Sequence, residues 1–245
     1  MIDPLSEFRL DGEVAVVTGG MSGFGKIVAD AFRAVGARVA IFDLVAEGDD
    51  AYALDVANET QVRAAFDKVV AQHGRVDVLF NNAGIAIRKP TTELTIEDWN
   101  KVVGVNMTGV FLCAREGAKH MLGGGRGGRI VNTASIMGMV GGGLYPNISY
   151  QATKGAVVNM TRAMAVEWAS QGIRVNAIAP TWARTPLIRG ITENPELVQR
   201  IEKMTPMGRI AEPQEIVGAV LFLSTRASAM VTGHILAVDG GFLAQ

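Results

Sequence analysis

The feature that most limits what this chain can fold into is its alternation of short β-branched runs with longer stretches of helical periodicity. Strands are expected at Val14–Thr18, Arg38–Asp43, Ala51–Leu54, Val76–Asn81, Arg129–Thr133, Arg174–Ala179 and His234–Val238. Helices are expected near Gly23–Val35, Glu59–His73, Thr95–Met121, Ser149–Ser170, Pro195–Met204 and Glu212–Ser224. Strands separated by helices join through right-handed crossovers, which produce a parallel sheet covered on both faces. Runs such as Val-Ala-Val-Val and Val-Asp-Val-Leu-Phe suit strands buried on both sides. The predicted architecture is a single doubly wound α/β domain over residues 1–245, built on about seven strands.

Composition narrows the possible functions. Hydrophobic residues make up 49% and charged residues 19%, so the chain is not of a disordered type. A net charge of −1 with no block of like charges argues against nucleic acid and against a membrane surface. The segment Met1–Leu10 lacks the apolar centre of a secretion signal, and no run of about 18 apolar residues is present. Cys113 is the only cysteine, so no intrachain disulfide can form. These features favour the cytoplasm. Among the glycine-rich segments, Gly123–Gly128 reads as a solvated connection, and Gly141–Gly143 could let a substrate loop approach closely. The stretch Thr185–Pro206, with three prolines, reads as a substrate lid.

Thr18-Gly-Gly-Met-Ser-Gly-Phe-Gly25 joins the first strand to the first helix. Glycines there permit positive φ and let the backbone come close to a pyrophosphate, toward which the helix points its free N–H groups. The spacing of Gly19, Gly23 and Gly25 differs from G-x-G-x-x-G, but the strand before, the helix after and Asp43 at the end of the next strand supply the context. A carboxylate there accepts hydrogen bonds from ribose hydroxyls and repels a 2′-phosphate. Neither Met21 and Ser22 nor Leu44 and Val45 offer a compensating cation, so NAD is expected over NADP.

Tyr150 and Lys154 stand at i and i+4 of a predicted helix and share a face. A cation about 4 Å from a phenol is worth about 4 kcal/mol at an effective dielectric of about 20, or roughly three pKa units. That brings tyrosinate within reach near neutrality, where a general base is useful. Alone, a Y-x-x-x-K string is also an ordinary helical pair.

The ordered motifs make the chain similar to the short-chain dehydrogenase/reductase family from about Gly12 to Gly241. They are Thr18–Gly25, Asp55, Asn81-Asn-Ala-Gly84, Asn106, Ser135 in Asn-Thr-Ala-Ser-Ile-Met-Gly, Tyr150-x-x-x-Lys154, and Asn176-Ala-Ile-Ala-Pro180. The resemblance implies a Rossmann-type fold with Tyr150 as acid/base. It implies that Lys154 lowers the tyrosine pKa and holds the nicotinamide ribose. Ser135 would hold the substrate oxygen, and Asn106 would anchor a water leading from Lys154 to solvent. For the cofactor it implies contacts from Gly19, Ser22, Gly23, Phe24, Gly25, Asp43, Asp55, Val56, Asn82, Ala83, Gly84, Tyr150, Lys154, Pro180 and Thr185. Ser135 is preferred to Ser149, which is adjacent to Tyr150 and points about 100° away on a helix. The chain departs from the family's usual Pro-Gly at Pro180-Thr181, where a side chain could narrow the nicotinamide wall or touch substrate.

Arg88-Lys-Pro, Glu167-Trp-Ala and the ending Ala237–Gln245 are most similar to members acting on sugar acids and polyols. The expected reaction passes a hydride between nicotinamide and a secondary alcohol or ketone, with a polyol, sugar or sugar acid as substrate. Arg88 could bind a carboxylate, and Trp182 and His120 are further pocket candidates. One alternative is a 3-oxoacyl reductase using Arg126 and Arg129 toward a carrier protein. Another is a catalytically silent NAD-binding sensor or scaffold. The resemblance also implies a homotetramer and, in some members, a structural magnesium at the carboxyl terminus, to which Gln245 could offer an oxygen. No catalytic metal is expected.

Overall fold

The computed structural model describes residues 3–142 and 144–245. Met1, Ile2 and Gly143 lie outside the described residues, and with them one glycine of the expected substrate loop and the start of the amino-terminal segment. Seven strands are present: β1 (Val14–Thr18), β2 (Arg38–Asp43), β3 (Ala51–Ala53), β4 (Val78–Asn81), β5 (Gly128–Thr133), β6 (Ile173–Pro180) and β7 (Ile235–Val238). They form one parallel sheet in the order 3-2-1-4-5-6-7. Winding reverses between β1 and β4, so a crevice opens beyond their carboxyl ends.

Side-chain alternation sorts two cores. Val14 and Val16 of β1, Leu79 of β4 and Ile130 of β5 face one way, onto α2 (Glu59–His73), α4 (Val110–Gly123) and α5 (Ile148–Trp168). Ala15, Val17, Phe80, Val131 and Ile178 face the other way, onto α1 (Gly23–Ala34) and α8 (Val217–Ser224). Each fully buried Val, Leu or Phe of these layers contributes about 1.5–3 kcal/mol of burial, which is why both faces of the central strands are apolar.

Three expectations change. The helix expected over Thr95–Met121 divides into α3 (Ile96–Val103), a π-helical turn at Gly104–Gly109 and α4. The turn occurs where glycine lets the backbone press on the loop after β3: a β-carbon on Gly109 would stand 2.8 Å from Val56 Cγ2. Thr185–Pro206 is more helical than the single expected helix Pro195–Met204. It holds a 3-10 turn (Pro186–Ile188), α6 (Arg189–Thr192) and α7 (Pro195–Met204), and it buries Ile188, Ile191 and Ile201 beside Trp182. Asn194 caps α7 by accepting from the N–H groups of Glu196 and Leu197, and Pro195 pre-sets the first helical φ. Finally, a 3-10 turn (Pro213–Ile216) precedes α8 where one continuous helix was expected.

Candidate active site

Thr18 ends β1 and stitches the crevice together. Its Oγ1 accepts from the N–H groups of Asn82 and Ala83, at 2.9 and 3.0 Å. Asn82 Nδ2 returns bonds to the carbonyls of Thr18 and Gly19. The turn that follows needs its glycines. Gly19 and Gly23 adopt φ of +64° and +53°. A β-carbon on Gly25 would sit 2.0 Å from the Gly19 carbonyl oxygen. Ser22 makes no side-chain cap, so the first N–H groups of α1 remain open to an anion. These observations fit a bound pyrophosphate.

One cleft of about 410 Å³ runs from this turn across the strand ends. Gly19, Ser22, Gly23, Phe24, Asp43, Asp55, Val56, Asn82, Ala83, Gly84, Pro180 and Thr185 line it, together with Arg88, Ser135, Tyr150, Lys154 and Trp182. Asp43 is held rigidly, its carboxylate accepting from the N–H groups of Met21 and Leu44. Asp55 accepts from Ala57 N. Gly25 and Asn106 do not line the cleft; Gly25 packs beneath the turn, and Asn106 is fully buried behind the wall.

The chemistry-bearing groups meet past the end of β5. Ser135 starts a 3-10 turn (Ile136–Gly138), and its Oγ accepts from Met137 N at 3.1 Å, which leaves the hydroxyl proton available to another oxygen. Gly138 seats that turn on α5, since a β-carbon there would lie 2.5 Å from the Lys154 carbonyl carbon. Tyr150 and Lys154 lie in the first turns of α5, and the Lys154 ammonium faces Gly84. Asn106 clamps Ile85 in both directions, Oδ1 accepting from Ile85 N and Nδ2 donating to Ile85 O, each at 2.9 Å. Its Nδ2 also reaches Thr153 Oγ1 at 3.3 Å. The π-helical turn thus ties α5 to the strand after which the cleft opens.

Burial dominates the electrostatics of Tyr150 and Lys154. Burial pulls the Lys154 ammonium down to about 8, and its Nζ donates to the Thr133 carbonyl at 2.6 Å. It stands 5.6 Å from the centre of the Tyr150 ring. Burial raises the Tyr150 phenol above its ordinary value. The Ser135 hydroxyl opposes the rise, Tyr145 adds to it and Arg88 opposes it. Desolvation penalises both charged forms.

Tyr145 was not singled out from sequence; Arg88, Trp182 and Thr181, which were, line the same cleft. Tyr145 lines the cleft beside Tyr150, and its oxygen accepts from Trp182 Nε1 at 3.2 Å. The Arg88 guanidinium lies 5.1 Å above the Tyr145 ring, and its Nη2 donates to the Leu187 carbonyl. The residue expected at the family's glycine position, Thr181, is buried in the wall with its hydroxyl unpaired among the described residues. Thr18 was legible in the motif only as its first letter. His120 is elsewhere, stacked on Phe66 and facing Asp67. Arg129 is committed to Glu13 and the Ser224 carbonyl, so it offers no free cation to a carrier protein. Gln245 donates to the Met204 carbonyl, and no group of three His, Cys, Asp or Glu side chains gathers for a metal among the described residues. No helix among them is long and apolar enough to cross a membrane.

The chain is similar to known proteins over nearly its whole length. Residues 19–243 match the family profile described as enoyl-(acyl carrier protein) reductase. The chain is 41% identical to D-threitol dehydrogenase of Mycolicibacterium smegmatis, over 96% of this chain and 95% of that protein. It is 40% identical to galactitol 2-dehydrogenase (L-tagatose-forming) of Cereibacter sphaeroides, over 98% and 99%. A short-chain type dehydrogenase/reductase from Mycobacterium marinum superposes with a TM-score of 0.95 at 33% identity, covering 99% of this chain and 100% of that one. A gluconate 5-dehydrogenase from Burkholderia cenocepacia, solved with NADP and tartrate, superposes at 0.94 with 36% identity, over 99% and 100%.

Proposed function

Because this chain belongs to the short-chain dehydrogenase/reductase family, we propose that it is an NAD-linked dehydrogenase of secondary alcohols, with a polyol, sugar or sugar acid as substrate. The observation that carries the reading is the convergence of Ser135, Tyr150 and Lys154 on one cleft that continues into the glycine cradle. When bound, the nicotinamide supplies the hydride acceptor or donor. The chain's own residues hold the oxygen and move the proton. Ser135 donates its free hydroxyl proton to the reacting oxygen. Tyr150 takes the alcohol proton in oxidation and returns it in reduction. Lys154, when protonated, favours the tyrosinate and reaches the ribose. Asn106 positions Lys154's surroundings through Ile85 and Thr153.

NAD is favoured over NADP by the Asp43 carboxylate, fixed at the cleft wall by Met21 N and Leu44 N. A phosphate on the ribose would face that charge. NADP stands in the Burkholderia structure, so the choice is read from kcat/KM with each cofactor; a clear preference for NADP would overturn it. The threitol and galactitol relatives support a polyol. The packed segment Thr185–Pro206 acts as the lid, a homotetramer is the assembly, and the lone buried Cys113 suits a cytoplasmic setting. The test is NADH formation across polyols, sugar acids and simple secondary alcohols. Turnover confined to 3-oxoacyl thioesters would favour the reductase reading, and absence of any turnover would favour the silent sensor.

A further inference from the structure

The wall opposite the cradle contains a phenol whose orientation is fixed by its neighbours. Tyr145 lies under the Arg88 guanidinium on one side, and its oxygen accepts from the buried Trp182 on another. Trp182 is itself braced edge-to-face on Phe242, with ring centres 5.5 Å apart. Arg88 is held by the Leu187 carbonyl at 3.0 Å. An indole N–H can only donate. The Tyr145 oxygen is therefore the acceptor in that bond, and its own proton points elsewhere. Among the described residues no protein group accepts that proton, while Tyr145 shares the cleft with Ser135 and Tyr150.

Resting on the proposed alcohol oxidation, we propose that Tyr145 is a specificity-determining residue that binds a second hydroxyl on the carbon next to the reacting one, so that the enzyme selects vicinal diols within the polyol class. A phenol with one lone pair free and one proton free both accepts and donates. That matches a hydroxyl, which does the same, better than a carboxylate, which would use the proton alone. Arg88 and Trp182 both contact Tyr145, which reduces the ordering needed when substrate arrives. A site built to pair a substrate hydroxyl discriminates against the analogue that lacks it, because its polar group is then left unpaired.

The test compares meso-2,3-butanediol with 2-butanol, which differ by that hydroxyl. Wild-type enzyme is expected to show a higher kcat/KM for the diol. In Tyr145→Phe the diol-to-alcohol ratio should fall about 10- to 100-fold. Trp182→Phe keeps an aromatic ring but removes the donor that aims the phenol, and should lower the ratio less. It decides the matter if Tyr145→Phe does not fold. A merely structural role would depress both substrates together and leave the ratio in place. A ratio within twofold of wild type in the folded variants, or a wild type without preference for the diol, would overturn the inference while leaving the dehydrogenase reading intact. Failure of wild type to oxidise either compound or any polyol would overturn both.

Discussion

At the scale of the residue, Lys154 shows how burial changes what a motif can do. Its folded pKa is about 8, against an ordinary value of 10.5. Between these values the unfolded chain binds more protons than the folded one, so this residue makes stability rise with pH across that window. Below about 8 the ammonium is charged in both states, and the cost of its burial is present in full. Lys154→Met should flatten the rise, measured as the denaturation midpoint of the ligand-free chain from pH 8 to 10; an unchanged slope would show that another group is responsible. Tyr150→Phe should lower kcat by about 10²–10⁴-fold, the range of general acid–base catalysis, in initial-rate assays. Removal of a proton from the alcohol favours oxidation as pH rises through the titration of the Tyr150–Lys154 pair. Reduction should show the opposite slope.

The elements contribute through close backbone approach. The β1–α1 turn works only because Gly25 leaves room for the Gly19 carbonyl. Gly25→Ala should weaken cofactor binding at least about tenfold or cost about 1–3 kcal/mol of stability through overpacking, read by cofactor fluorescence titration and thermal melting. Retention of both properties would mean that the turn relaxes freely. The π-helical turn plays a comparable part on the other side of the cleft. Asn106→Ala removes both hydrogen bonds to Ile85 and should cost about 1–3 kcal/mol, together with a loss of kcat that a distant surface substitution would not produce. The glycines of these turns are visible in the sequence because they mark backbone that other residues cannot adopt or approach. The π-helical character was not visible, since the apolar period runs through Thr95–Met121 with little interruption.

On the scale of the whole molecule, the doubly wound sheet leaves its long helices α4 and α5 with apolar residues in water. Phe111 of α4 and Val166 of α5 are 43% and 83% exposed. The tetramer is expected from the family resemblance, and such positions are candidates for burial against another copy. Light scattering should give four times the 26.0 kDa chain mass, and Phe111→Asp with Val166→Asp should shift the population to smaller species. A tetramer unmoved by both changes would place the interface elsewhere.

Amino-acid order alone was sufficient for the parallel α/β architecture, and it singled out the glycine turn, Asp43, Ser135, Tyr150 and Lys154, which the fold brings to one cleft. Each of these rests on local constraints, such as positive φ, strand-to-helix turns and helical spacing, or on motifs in a set order. Tertiary structure alone decided the burial of Lys154, the π-helical turn that carries Asn106, the packing of Ile188, Ile191 and Ile201 beside Trp182, and the meeting of Arg88, Tyr145, Trp182 and Phe242. Those outcomes depend on desolvation and on contacts between residues far apart in the chain. Neither is encoded in any short window of sequence.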